Sequence, residues 1–298
     1  MTFGLLNIDK PAGWTSHDVV NRVRRSTGVK KVGHAGTLDP TATGVLVLCL
    51  GKATRLSEYI MGHTKTYQAI VRFGATSTTY DAEGEITPSS EAMPFSRVEL
   101  EAQLSGFTGH IQQVPPMYSA IKQGGEKLYE KARRGEEVER AAREVTIYKL
   151  TLESFVYPEA IITVRCSPGT YIRSVAHDLG QVMGQGAYLD GLVRTASGDN
   201  FTLSNAVPWR QLEADIAAGT WQTHIMSVRA GLSQLPYIEL NNQQAATVRQ
   251  GGPLQLGISN RGPVQVWTHD GDFVGIMARE GEADDQAVWR PEKVFGAD

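Results

Sequence analysis

Cysteine is scarce: the 298-residue chain has two, Cys49 and Cys166. Each sits in an apolar run, VLVLCLG and IITVRCS, where cysteine behaves as a small buried hydrophobe. Neither a disulfide framework nor a thiolate metal site is therefore expected. Long apolar runs are missing too. No stretch approaches the roughly 18 consecutive apolar residues of a membrane helix. The opening MTFGLLNIDKPAG lacks the charged and apolar regions of a secretory signal, so a cytoplasmic protein is expected, with no membrane partner. The seven histidines are scattered, without HExxH or CxxC spacing, which leaves no metal site to expect. There is no GxGxxG after a strand, no GxxxxGK[ST] and no GxSxG, so the usual cofactor, nucleotide and hydrolase chemistries have no foothold. A positive net charge is lacking as well: the total is −3.

What is present is unevenly distributed. Residues 232–298 carry five Lys/Arg against nine Asp/Glu. The rest is close to neutral and holds a basic stretch, VVNRVRRSTGVKKVGH, with Arg22, Arg24, Arg25, Lys30 and Lys31 and no acid after Asp18. A local stripe of this kind can meet phosphate whatever the total charge, although a solvated helix face has the same composition. A second basic cluster, KARRG, is followed at once by Glu136, Glu137 and Glu139. The texture changes after Leu235-Pro236 to short strands such as YIEL and PVQVWTHDGDFVGIMA, the latter with an Asp-Gly hairpin turn. Two domains are read, residues 1–231 and a small β-rich unit at 232–298. A polar, Gly-rich excursion at about 122–140 interrupts the first.

Within the first domain, Ser16 is expected to cap a helix through Arg25 that buries Val19, Val20 and Val23. Residues 33–44 read as loop and Val45–Leu50 as a buried strand. KTYQAIVRFG alternates, so Tyr67, Ala69, Val71 and Phe73 share a strand face. Two further strands meet near Tyr157-Pro158, and GTYIRSVAHDLGQVMG is an amphipathic helix. Three residues stand out. Asp39 precedes Pro40, which disfavours a helical backbone there; the carboxylate is either a turn residue bonding its own backbone or a reactive group held by a rigid loop. Arg173 falls in the first turn of its helix, the wrong end of the dipole for a cation. It lies at the edge of the apolar stripe, where a half-buried guanidinium needs an anion; Asp39 is one candidate and a surface acid another. Tyr67 faces inward, as core tyrosines do.

GHAGTLDPTATGVLVLCLG resembles the signature motif of the TruB family of tRNA pseudouridine-55 synthases. LLNIDKPAGWTSHDVV resembles that family's N-terminal lysine-proline motif. KTYQAIVRFG, VPPMYSAIKQGGEKLYEKARRG and GTYIRSVAHDLGQVMGQGAYLDGLVRT resemble later family segments in the family's order, covering most of residues 4–195; the C-terminal part is similar to the PUA domain of bacterial members. The resemblance implies an α+β pseudouridine-synthase fold, with a mixed, largely antiparallel central sheet flanked by helices and a small β-rich PUA-like barrel. It implies that Asp39 is the essential aspartate, Tyr67 the tyrosine that stacks on the target base, Arg173 the arginine that pairs with the aspartate, and Leu192 the apolar residue beneath the base. His34 would fill the gap left by a flipped uridine, and Lys10, the lysine of the lysine-proline motif, would take part in substrate binding. Arg22, Arg25, Lys30 and Lys31 would face the T-arm of tRNA, and the excursion would close on it. Thr78, Tyr188 and Val193 stand where the family often has Asp, His and Arg. The expected reaction converts a uridine to pseudouridine with no cofactor, metal or obligate protein partner, in a monomer; the alternative is a non-catalytic tRNA-binding or folding protein on the same scaffold. A glycoside hydrolase using Asp39 would need a second carboxylate, which residues 33–44 do not supply. Arg173 is expected to lower the pKa of Asp39.

Overall fold

Alternation along one strand organises the molecule. In the computed structural model, which describes residues 2–90, 92–119, 122–123, 126–127, 134, 136, 138–280 and 287–296, the run Thr43–Leu50 is buried on both faces. Val45, Val47 and Cys49 point into one apolar cluster; Leu46, Leu48 and Leu50 point into another. That follows from the two-residue period of a strand. Nearly continuous apolar sequence is what two-sided burial demands.

The strands in chain order are β1 (Gly4–Lys10), β2 (Val32–His34), β3 (Thr43–Leu50), β4 (Lys65–Phe73), β5 (Ala75–Ser77), β6 (Ile86–Pro88), β7 (Gly109–Gln113), β8 (Lys122–Gln123), β9 (Glu126–Lys127), β10 (Arg143–Val156), β11 (Glu159–Cys166), β12 (Ala187–Ser197), β13 (Phe201–Thr202) and β14 (Val207–Pro208). The central sheet runs β14-β1-β3-β12-β4-β11-β10-β7, with β2 on β3 and β13 on β12. Two pairings, β1 with β14 and β12 with β3, are parallel; the others are antiparallel. The fold is therefore α+β on a mixed, largely antiparallel sheet. The helix Ser16–Thr27 covers one part of it with Val19, Val20 and Val23. The helix Ile172–Val182 covers β4 and β11 with Ile172, Val175, Ala176 and Leu179.

Two local expectations are corrected. Thr15, not Ser16, caps the first helix, in a capping box with Asp18. Ser16 instead turns its hydroxyl to Leu38, donating to its carbonyl at 3.1 Å and accepting from its N–H at 2.8 Å. Residues 32–34 form β2, paired with β3 so that His34 lies opposite Leu48; the loop proper is shorter than residues 33–44. Both cysteines are buried and free.

A second sheet, β15 (Tyr237–Leu240), β16 (Leu254–Gln255), β17 (Val264–Thr268), β18 (Phe273–Glu280) and β19 (Val288–Val294), is ordered β15-β17-β18-β19-β16 and carries the helix Asn242–Arg249. It packs on the start of the chain. Phe3 meets Phe295 and Phe273 with ring centroids at 5.6 and 6.3 Å, and Arg55 donates to the Val294 carbonyl at 2.7 Å. Most of the excursion at 122–140, including Lys131 and Arg133, lies outside the described residues. Arg134 is held by Glu126 and Glu136, each at 2.7 Å, so its charge is already partnered. Among the described residues no helix is long and apolar enough to cross a membrane.

Where β3 begins, Gly44 adopts φ +94°, and a Cβ there would meet the Arg194 carbonyl oxygen at 2.3 Å. Gly44→Ala combines a left-handed backbone with a clash against a neighbouring strand. It is expected to cost about 2–5 kcal/mol, read as an earlier denaturant midpoint.

Candidate active site

The loop between β2 and β3 hangs from several fixed points. Ala35 N–H donates to the Val47 carbonyl at 2.9 Å, and Gly13 N–H to the Pro40 carbonyl at 2.9 Å. Ser16 brackets Leu38. Fully buried Lys10 gives its ammonium protons to the carbonyls of Trp14 at 2.6 Å and of Pro11 and Pro40, both at 3.0 Å. Arg194 donates to the carbonyls of Gly36, Thr37 and Val45 at 3.1, 3.3 and 2.7 Å. Such anchoring fixes the direction of the one carboxylate in the loop. Asp39 is 36% exposed, so its carboxylate is open on one side only.

On its inner side Asp39 meets Arg173, which is 6% exposed. Arg173 Nε lies 3.1 Å from Asp39 Oδ2 and Nη2 lies 3.3 Å from Oδ1. This two-point contact fixes orientation as well as distance. The helix that carries Arg173 starts where expected, and its first turn is tied to β7. Gln113 exchanges hydrogen bonds with the Tyr171 backbone at 2.8 and 3.0 Å, and Ser174 donates to the Val114 carbonyl at 2.8 Å. The remaining donors of Arg173 reach the Tyr118 carbonyl at 2.9 Å and Asp81 Oδ2 at 3.4 Å.

Asp81, which the sequence reading did not single out, joins the candidate site through Arg173. It is buried, accepts from the Thr79 hydroxyl, and accepts from Glu83 N–H at 3.1 Å. Its neighbour Tyr80 has φ +65°, uncommon for a bulky residue. The Tyr80 ring stacks on His177 at 3.9 Å, one turn beyond Arg173. A usable signal did exist: a guanidinium has five N–H donors, more than one carboxylate can absorb when it is buried. Thr78, where the family often has Asp, instead accepts from Glu85 N–H at 3.0 Å.

Tyr67 and Leu192 approach from the sheet. Both pack between its two apolar clusters. Tyr67 lies opposite Arg194, and Leu192 opposite Ala69, in the β4–β12 ladder. The structure thus gathers Asp39, Arg173, Tyr67, Leu192 and the unforeseen Asp81 and Arg194 around one place. His34 stands on β2 at the edge, its buried Nδ1 without a partner among the described residues. Lys10 departs from its expected part in binding: its protons are taken by carbonyls and no face of it is open, so it braces the loop. Arg22, Arg25, Lys30 and Lys31 are exposed on and after the first helix. Arg22 covers the Trp14 ring at 4.0 Å and, with Arg25, Asp18 and Ser26, lines a cleft beside it.

The electrostatics differ from expectation at Asp39. Burial pushes its carboxyl above the usual range and Asp81 adds to this, while Arg173 and Lys10 oppose it; desolvation outweighs the ion pair. Burial lowers Lys10 to about 8. It also lowers His34, with Arg194 and His17 acting the same way. Tyr67 is pushed up by burial against the pull of Arg194. Among the described residues no cluster of His, Cys, Asp and Glu could hold a metal ion.

Comparison with known proteins shows the family. The family model described as the N-terminal domain of TruB family pseudouridylate synthases matches residues 24–172. A tRNA pseudouridine synthase B of Geobacillus thermodenitrificans is 42% identical over 302 residues, covering 98% of this chain and 99% of the relative. The chain belongs to the TruB family. A Geobacillus kaustophilus relative of the same name is 47% identical over 261 residues, covering 85% of this chain and 91% of its own. Among solved structures, a chain of an H/ACA RNP bound to a substrate RNA containing 2′-deoxyuridine superposes with a TM-score of 0.77 at 24% identity, covering 99% of this chain and 86% of that one. That likeness bears on the fold, which is the pseudouridine-synthase fold.

The brace role of Lys10 makes a prediction that an RNA contact would not. Lys10→Met leaves buried carbonyls unpaired and is expected to cost about 2–4 kcal/mol in denaturant unfolding. RNA affinity of the folded protein, measured by filter binding, should stay within about twofold.

Proposed function

We propose that this enzyme isomerises the uridine at position 55, in the T-loop of tRNA, to pseudouridine, acting as a monomer in the cytoplasm without a cofactor. The observation that carries the reading is the two-point grip of Arg173 on a carboxylate that stays open on its outer side. A carboxylate that served only its own turn would not need a buried guanidinium to aim it. The family's shared name and the tRNA in its relatives' names support the substrate class.

The chemistry needs little more. The uracil N1–C1′ bond breaks, the base rotates in place, C5 bonds to C1′, the C5 proton leaves and N1 gains one. No redox change occurs. Asp39 acts as a carboxylate that starts the reaction, and Arg173 aims it. A base stacked inside an RNA loop must first be flipped out, at a cost of a few kcal/mol. Tyr67 stacked on the base, Leu192 beneath it and His34 in the vacated space offset that cost. His34 does so as a neutral ring, since burial and Arg194 disfavour its charged form. Arg22, Arg25, Lys30 and Lys31 meet the T-arm phosphates. Residues 1–231 form the catalytic domain and residues 232–298 a second RNA-contacting one.

The experiment is tritium release from a tRNA transcript labelled at uridine C5. Intact protein should release about one tritium per tRNA without free uracil, and Asp39→Ala should release none above background. Binding without release by the intact protein would leave an RNA-binding protein instead. The pH dependence has a defined sign. Because burial raises Asp39, the acid limb of kcat/KM should lie above the ordinary carboxylate value of 3.8. Asp81→Asn removes a charge that raises it, so the limb should move to lower pH.

A further inference from the structure

Arg194 is 2% exposed, and no described carboxylate is paired with it. Burying a guanidinium without a counter-charge is costly unless its donors are satisfied. Here they are met by backbone. Nε–H goes to Val45, at the start of β3, and the two Nη groups go to Gly36 and Thr37, in the loop that carries Asp39. The ladder between β4 and β12 then sets Arg194 directly opposite Tyr67, so the two side chains leave the sheet on the same face as neighbours, and Arg194 pulls against the upward shift that burial gives the phenol. Arginine has donors and no acceptor. Three of its five N–H donors go to these carbonyls, and a phenol oxygen beside it can only accept from the others.

We infer that Arg194 is a positioning residue that locks the Asp39 loop and the Tyr67 hydroxyl into one register, so that the carboxylate and the phenol address the same base from fixed directions. One side chain faces both: its Nη groups hold the loop two and three residues before Asp39, and the same side chain stands beside Tyr67 across the ladder. Lysine cannot substitute, because an ammonium on a flexible stem cannot span these acceptors as a planar fork does. This inference rests on the isomerase reading and adds to it the part that couples the two reacting groups.

The test is single-turnover tritium release with Arg194→Lys, Tyr67→Phe and the double variant, alongside tRNA filter binding and thermal melts. Arg194→Lys should slow release at least tenfold while the tRNA Kd stays within threefold. In the Tyr67→Phe background the same substitution should cost at least threefold less than in the intact protein, because only its hold on the Asp39 loop is then lost. A wild-type rate in Arg194→Lys overturns the inference. So does a full loss repeated in the Tyr67→Phe background, or a loss matched by weaker binding. If Arg194→Lys has no cooperative melt, the intact protein still decides. Assigned guanidinium proton resonances of Arg194 should shift in Tyr67→Phe, and unmoved resonances overturn the contact. Absence of release by the intact chain would instead count against the isomerase reading, so the two failures are distinguishable.

Discussion

The site depends on one buried ion pair. Arg173 and Asp39 meet through two nitrogens and two oxygens, and much of the surrounding structure keeps that contact in place. Both partners are costly to bury alone. Arg173 is offset by two carboxylates and two backbone carbonyls, those of Tyr118 and Thr79. Asp39 is only partly offset, and its carboxyl moves upward despite the cation beside it. The pair does not make Asp39 an easily ionised surface acid. It makes a carboxylate that is aimed, open on one side only, and raised by its burial on the other.

Aim requires a loop that cannot swing, and the chain achieves this with cations buried against backbone. Lys10 and Arg194 each give three hydrogen bonds to carbonyls, and their reach overlaps the loop at Pro40 and at Gly36–Thr37. A loop held by its carbonyls is rigid without large side chains of its own, which leaves its glycines free for sharp bends. Gly44 shows the other side of that economy, since β12 passes so close that no Cβ fits. Packing of β3 against β12 and aiming of Asp39 are thus one structural problem.

Much of this was legible in the chain. The continuous apolar run Val45–Leu50 marks a strand buried on both faces, and the stripe of Ile172, Val175 and Leu179 marks the buried face of a helix, which periodicity reports directly. Asp39 and Arg173 were visible as anomalies: a carboxylate locked before proline, and a cation at the wrong end of a helix. Asp81 was not, because its turn is an ordinary polar one and the contact spans most of the first sheet. Nor was Arg194, whose partners appear only when the strand order puts β3 beside it. The carbonyl shell of Lys10 was hidden for a related reason. A lysine beside a proline turn looks solvated, and only the folded path of residues 11–14 and 40 surrounds it with carbonyls. Local pattern reports burial, while partners come from topology.

Charge follows the same division. The chain as a whole is acidic, yet every cation at the site that faces inward is bound to backbone or carboxylate, and Arg134 in the excursion is already held by two glutamates. A group of exposed cations stands on and after the Ser16–Thr27 helix, at Arg22, Arg25, Lys30 and Lys31. Ser16 joins that helix to Leu38, one residue from Asp39. On the proposed function, a phosphate backbone drawn to Arg22 and Arg25 would be registered against the Asp39 loop by this short connection. Net charge would then matter less than its geometry: a small patch, placed one hydrogen-bonded step from the carboxylate, would link where an RNA lands to where a base reacts.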